Sequence, residues 1–176
     1  MEFKEIKTLF KADVIAERIK ELAKEIDADY GDVPLVLVCV LKGAFVFHAD
    51  LARALKKPLV EVDFMRISSY GNDTKSLKKI TVTKTVEVSL KNKHVLLVED
   101  IIDTGHSMLF LKNMFANSDA LSFKSVVLLD KKERREVNIH VDYAAFTVAE
   151  GFLVGYGLDY MELYRNIPDV CVVVPQ

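Results

Sequence analysis

The 176-residue chain lacks any apolar run of the ~18 residues needed to span a membrane. It also lacks a run of like charge, an internal repeat, a low-complexity stretch, and a Pro/Gly/Ser-rich linker that would divide it. A single domain over residues 1–176 is therefore expected, long enough to bury a sizeable core. The opening residues MEFKEIKTLFKADVIAERIK are charged throughout and contain no apolar signal core, so a soluble, cytoplasmic protein is expected, with no membrane partner. Lys and Arg number 24 against 26 Asp and Glu, a net charge of −2, which gives no basic footprint for nucleic acid. The only two cysteines, Cys39 and Cys171, sit inside apolar, strand-like runs without metal-ligand spacing. They read as reduced core residues.

What is present is an alternation of helical and strand periodicities. Ile15, Ile19, Leu22 and Ile26 recur at helical spacing through a charged segment, predicting an amphipathic helix. PLVLVCVL (34–41), HVLLVE (94–99) and SVVLLD (125–130) are continuous apolar runs, the pattern of strands buried on both faces. LVEVDFMRI (59–67), YAAFTV (143–148) and VCVVVP (170–175) also read as strands, with helices over about 44–55 and 106–117. ITVTKTVEVSL (80–90) alternates apolar and polar residues, which suits a half-exposed antiparallel pair. Strands alternating with helices predict an α/β, doubly wound parallel sheet with helices on both faces. In such sheets ligands bind beyond the carboxyl ends of the strands, where LKG, SSYGNDTKS, EDIIDTGHS and DKK all lie.

One segment carries most of the chemistry. VLLVEDIIDTGHSM (95–108) runs from a buried strand into Glu99, Asp100 and Asp103, and carboxylates at the edge of a core are costly unless something binds them. Thr104, Gly105, His106 and Ser107 fall where the strand turns into a helix, whose free N–H groups form an anion site. Gly105 permits close approach, and the hydroxyls of Thr104 and Ser107 add donors. Glu99 and Asp100 suit the two hydroxyls of a ribose, or Mg²⁺ held by a pyrophosphate. Together these features describe a ribose-phosphate site. The same layout also fits a receiver-like domain, in which an acidic pair holds Mg²⁺ for phosphoryl transfer.

The contiguous pattern resembles the phosphoribosyl-pyrophosphate signature of the type I phosphoribosyltransferases, specifically the hypoxanthine-guanine branch. LKGAFVFHADL (41–51) resembles that family's pyrophosphate loop, RISSYGNDTKS (66–76) its lid, VVLLDKK (126–132) its base-contacting lysine and GFLVGYGLDYMELYRN (151–166) its purine-binding end.

The resemblance implies a Rossmann-like fold. A core at about 30–148 would hold a central parallel sheet flanked by helices, with a small hood from about 1–10 and 149–176 and a mobile antiparallel lid at about 68–90. It implies Mg²⁺-dependent purine salvage: transfer of phosphoribosyl from 5-phosphoribosyl 1-pyrophosphate to N9 of a 6-oxopurine, giving IMP or GMP and pyrophosphate. Asp103 would be the acid/base group near N7 of the purine. Glu99 and Asp100 would hold the ribose hydroxyls and Mg²⁺, and residues 103–107 would cradle the 5′-phosphate. Lys131 would meet the purine O6 and discriminate against adenine. Phe152 would stack on the base and Leu153 would offer it backbone. Asp159, grouped with the purine-binding residues, would hold a second Mg²⁺ or the pyrophosphate face, while Lys42, Gly43, Ser69, Tyr70 and Arg165 would meet pyrophosphate. The peptide before Lys42 is often cis in the family; the sequence leaves its isomer open. Relatives assemble as homodimers or homotetramers. Lys132, Arg134 and Arg135 read as solvated charges. Two other classes stay open at this point: a regulator that senses the same donor, and an adenine or pyrimidine phosphoribosyltransferase.

Overall fold

The structure, a computed structural model, describes residues 3–57, 59–70, 79–149 and 151–175. Its main sheet has six strands, ordered β4 (Lys79–Lys84), β3 (Val60–Tyr70), β2 (Leu35–Leu41), β5 (His94–Ile102), β6 (Ser122–Asp130) and β7 (Tyr143–Thr147). Every neighbouring pair is parallel except β3 and β4.

The continuous apolar runs are explained by burial on both sides. Leu35 and Leu37 of β2, with Leu96 and Val98 of β5, join the cluster under α1 (Ala12–Tyr30) and α2 (Phe45–Ala54). The alternate residues Val36, Val38, Val95 and Leu97 join the cluster under α3 (His106–Ala116). Each fully buried Leu or Ile contributes about 1.5–3 kcal/mol by leaving water, so two covered faces keep both residue sets in place. Helix α1 buries Ile15, Ile19, Leu22 and Ile26, the stripe its spacing predicts. Its Arg18 donates to the carbonyls of Ala144 and Ala145, occupying edge groups of β7 that would otherwise invite another strand.

A second, antiparallel sheet joins both ends of the chain in the order β1 (Phe3–Phe10), β9 (Val170–Pro175), β8 (Phe152–Val154). Strands β1 and β8 are short or charged and their pairing is remote in sequence, so periodicity does not announce them. The alternation over 80–90 predicts a half-exposed antiparallel pair; β4 does pair antiparallel with β3, but it ends at Lys84. Val86, Val88 and Leu90 still pack against the α3-side core. Their backbone is held by a side chain: Asp63 Oδ2 accepts from the N–H of Glu87 at 2.6 Å and of Val88 at 2.9 Å. An apolar face was needed there; a ladder was not. Cys39 and Cys171 are buried and unbonded to each other.

The strand order reverses at β2. From β2 the chain moves outward to β3 and β4, then returns to place β5 on the other side of β2. Crevices in open α/β sheets form at such a point, and here it brings Gly43 beside Asp100.

Candidate active site

Glu99 and Asp100 lie in β5 near its carboxyl end, Glu99 buried and Asp100 partly so. Burial, and then the charge of Asp100, push the Glu99 carboxyl well above the usual carboxylate range. Burial raises Asp100 as well, against the opposing N–H of Ile101 and the more distant charge of Arg165. Such a pair is poised to ionise on meeting a cation or hydroxyl donors. Among the described residues no cluster of three or more metal-ligating side chains is preassembled. Mg²⁺ does not require one, since it keeps several waters and is commonly held by one or two carboxylates plus substrate phosphates. Hard carboxylate oxygens at Glu99 and Asp100 fit that ion.

Directly opposite stands the turn after β2. The Leu41–Lys42 peptide is cis. A Cβ on Gly43 would fall 1.6 Å from Asp100 Oδ2, so only glycine lets the turn and the carboxylate approach this closely. Gly157 closes the other side, where a Cβ would come within 2.2 Å of the Gly43 carbonyl oxygen.

Beyond β5, residues 103–105 lead into α3 through Gly105, whose φ of 90° lies in the left-handed region. No side chain caps the helix, so Asp103 is not spent as an N-cap and the first N–H groups face outward. The Thr104 carbonyl accepts the Glu136 N–H at 3.0 Å, tying the turn to the segment after β6. A small cavity of about 110 Å³ lies here, lined by Glu99, Asp103, Thr104, Gly105 and Ser107 among others. The His106 ring points away, with Nε2 3.0 Å from Glu136 Oε2, which leaves only its backbone for a ligand.

A larger cavity, about 520 Å³, is lined by Asp100, Asp103, Lys131, Phe152, Leu153 and Asp159, together with Arg134. These residues come from β5, the end of β6, and the stretch 152–159. Lys131 is buried, and its Nζ donates to the Gly151 carbonyl at 2.7 Å. Phe152 is 50% exposed and meets Tyr160 edge-on, with ring centroids 5.3 Å apart; it is a cavity wall and not a core residue. Asp103 and Arg134 face each other, Oδ1 to Nε 3.3 Å. The contact is an ion pair without hydrogen-bond geometry, for Asp103 Oδ1 is buried and accepts no hydrogen bond among the described residues.

Of the charges read as solvated, Arg134 is exposed as expected while also pairing with Asp103, and Arg135 is not: it is mostly buried and pairs with Asp130. A run of charge looks solvated in sequence because the 3₁₀ turn Lys132–Arg134, which aims these side chains back at β5 and β6, has no sequence signature.

Arg165 is anchored by Gly157, whose carbonyl accepts from Nη1 at 2.8 Å, and by Asp159, 2.7 Å from Nη2. Lys42 lies 2.9 Å from Glu162. Gly157 and Glu162 both belong to this site and were not singled out from sequence; what brings them to it is their approach to Gly43 and Lys42, more than a hundred residues away. Ser69 and Tyr70 end β3, their backbones paired with Ile80 and Lys79. Their side chains, and the lid tip with Gly71, Asn72 and Asp73, lie outside the described residues.

Comparison with known proteins agrees with this geometry. The sequence model described as phosphoribosyl transferase domain matches residues 5–161. The hypoxanthine-guanine phosphoribosyltransferase of Aquifex aeolicus is 46% identical over 171 residues, covering 97% of this chain and 96% of that protein. Its Bacillus subtilis counterpart is 41% identical, covering 96% and 93%. A solved hypoxanthine-guanine phosphoribosyltransferase from Bacillus anthracis, with a HEPES molecule in its active site, superposes with a TM-score of 0.91 at 42% identity, covering 98% of this chain and 100% of that one. Alike in sequence and in fold over nearly its full length, the chain belongs to the phosphoribosyltransferase family, in its hypoxanthine-guanine branch.

Proposed function

We propose that the protein is a Mg²⁺-dependent phosphoribosyltransferase of purine salvage, moving the phosphoribosyl group of 5-phosphoribosyl 1-pyrophosphate to N9 of hypoxanthine or guanine. The products are IMP or GMP and pyrophosphate. The observation that carries this reading is the convergence of Asp103, Lys131, Phe152, Leu153 and Asp159 on one cavity that reaches Asp100. Its volume is that of a small-molecule site.

Each side chain then has a task. Phe152 stacks on the purine, and Leu153 offers backbone to its edge. Lys131, buried and directed inward, donates to O6, where adenine would present a second donor. Asp103 takes the N7 proton as N9 bonds to the anomeric carbon, at which an oxocarbenium-like state forms. Residues 103–107 hold the 5′-phosphate, and Glu99 and Asp100 hold the ribose hydroxyls. Lys42, the Gly43 backbone and Arg165 take the departing pyrophosphate, with Ser69 and Tyr70 on the lid that excludes water. Glu99, Asp100 and Asp159 are the residues that would hold Mg²⁺, which supplies neutralising charge to pyrophosphate when bound.

The same reading includes a cytoplasmic homodimer or homotetramer. Sedimentation measures the assembly. The decisive assay supplies Mg²⁺, the phosphoribosyl donor and each base in turn. Turnover of hypoxanthine and guanine is expected, with little of adenine or pyrimidines, and loss of turnover in EDTA. No turnover with either 6-oxopurine overturns the reading.

A further inference from the structure

The turn at 159–165 places a carboxylate between two cations. Glu162 Oε2 lies 2.9 Å from Lys42 Nζ and 3.1 Å from Arg165 Nη2, so one oxygen is shared by both. Hydrogen bonds from Lys42 and then Arg165 hold the Glu162 carboxyl below its usual value. A phosphate oxygen bound by the same two side chains would have these contacts.

Two features separate a competitor from a fixed support. First, Arg165 does not depend on Glu162: Asp159 and the Gly157 carbonyl hold its guanidinium at 2.7 and 2.8 Å. Second, the Glu162 side chain is 63% exposed and can leave by rotation alone. Its backbone meanwhile stays in place, with the N–H donating to Asp159 Oδ2 at 2.8 Å. The turn is closely specified, with Met161, Glu162 and Tyr164 all at left-handed φ, 53°, 67° and 73°. The carboxylate is thus delivered to the cations by a set backbone and retained there only by its hydrogen-bonded ion pairs with Lys42 and Arg165.

We propose that Glu162 is a built-in competitor for the pyrophosphate subsite: its carboxylate fills the place between Lys42 and Arg165 and swings out when the donor or product pyrophosphate binds. This rests on the assignment of Lys42 and Arg165 to pyrophosphate. Affinity for pyrophosphate is reduced by the fraction of molecules in which the cations are free. The return of Glu162 favours release of pyrophosphate after transfer.

The test is calorimetric titration of inorganic pyrophosphate, with Mg²⁺, into wild-type protein and into E162Q and E162A, each checked for an unchanged melting temperature. Loss of the two ion pairs made by this exposed carboxylate is expected to tighten pyrophosphate binding by about threefold to tenfold in both variants, with the difference shrinking at high salt. If wild type turns over hypoxanthine but the variants bind pyrophosphate equally or more weakly, Glu162 supports the cations and this inference alone is overturned. A wild type that neither turns over hypoxanthine nor binds pyrophosphate overturns the functional reading with it.

Discussion

Gly43 and Asp100 are packed so closely that a Cβ on the glycine would stand 1.6 Å from Asp100 Oδ2 and 2.6 Å from its Cγ. The contact exists because β2 and β5 are neighbours at the point where strand order reverses. It joins the turn assigned to pyrophosphate to the acidic pair assigned to ribose and metal.

Gly43→Ala therefore displaces the Asp100 carboxylate while leaving the core strands intact. The KM for the phosphoribosyl donor is expected to rise at least ~10-fold, since near-ångström misplacement in a preorganised site costs about that much or more. The melting temperature should change little. Steady-state kinetics with varied donor measures the effect; a donor KM equal to wild type would mean that Asp100 shifts harmlessly.

Asp103→Asn keeps the shape of the side chain and removes its basicity. A fall in kcat of roughly 10²–10⁴ is expected, the usual worth of a general base, with smaller change in donor binding. Single-turnover measurement of IMP formation separates the chemical step from release. Near-wild-type turnover would remove Asp103 from proton transfer.

Lys131→Gln loses the inward ammonium and weakens the 2.7 Å contact to the Gly151 carbonyl. The KM for hypoxanthine is expected to rise about 10-fold or more, the scale of a lost charged hydrogen bond, and discrimination against adenine should relax. An unchanged ratio of hypoxanthine to adenine turnover would show that selectivity lies elsewhere.

Asp63 yields a pH prediction away from the chemistry. Burial opposes its ionisation, but the N–H groups of Val88, Phe64 and Glu87 and the charge of Lys84 outweigh that, so its carboxyl titrates below the ordinary 3.8. Stabilisation from a depressed folded value is complete above the unfolded value and fades as pH falls through the folded one. Asp63→Asn should cost about 1–3 kcal/mol near neutral pH, with the gap from wild type narrowing as the pH falls below 3.8 and on through the depressed folded value. Thermal melts across that range measure it, and a gap independent of pH would contradict the assignment.

Much of this was open to sequence reading because its causes are local. The stripe Ile15, Ile19, Leu22, Ile26 defines a buried helix face by spacing alone, and the both-sided burial of β2, β5 and β6 follows from their unbroken apolar runs. Residues 99–107 carry their chemistry within one contiguous segment. Contacts that arise between distant segments had no such signal. Arg135 reads as solvent-facing until the fold buries it against Asp130, and the 85–90 stretch reads as a strand until Asp63 replaces its ladder.

By itself, the sequence determined the layering of the sheet, the acidic strand end and the anion-binding turn, because periodicity and short-range backbone geometry depend on neighbours along the chain. Only the tertiary structure decided that Gly43 must be glycine, that Lys131 and Phe152 face one cavity, and that Glu162 stands between Lys42 and Arg165. Those facts depend on distances between residues up to 120 positions apart, which strand order and packing set and no local pattern encodes.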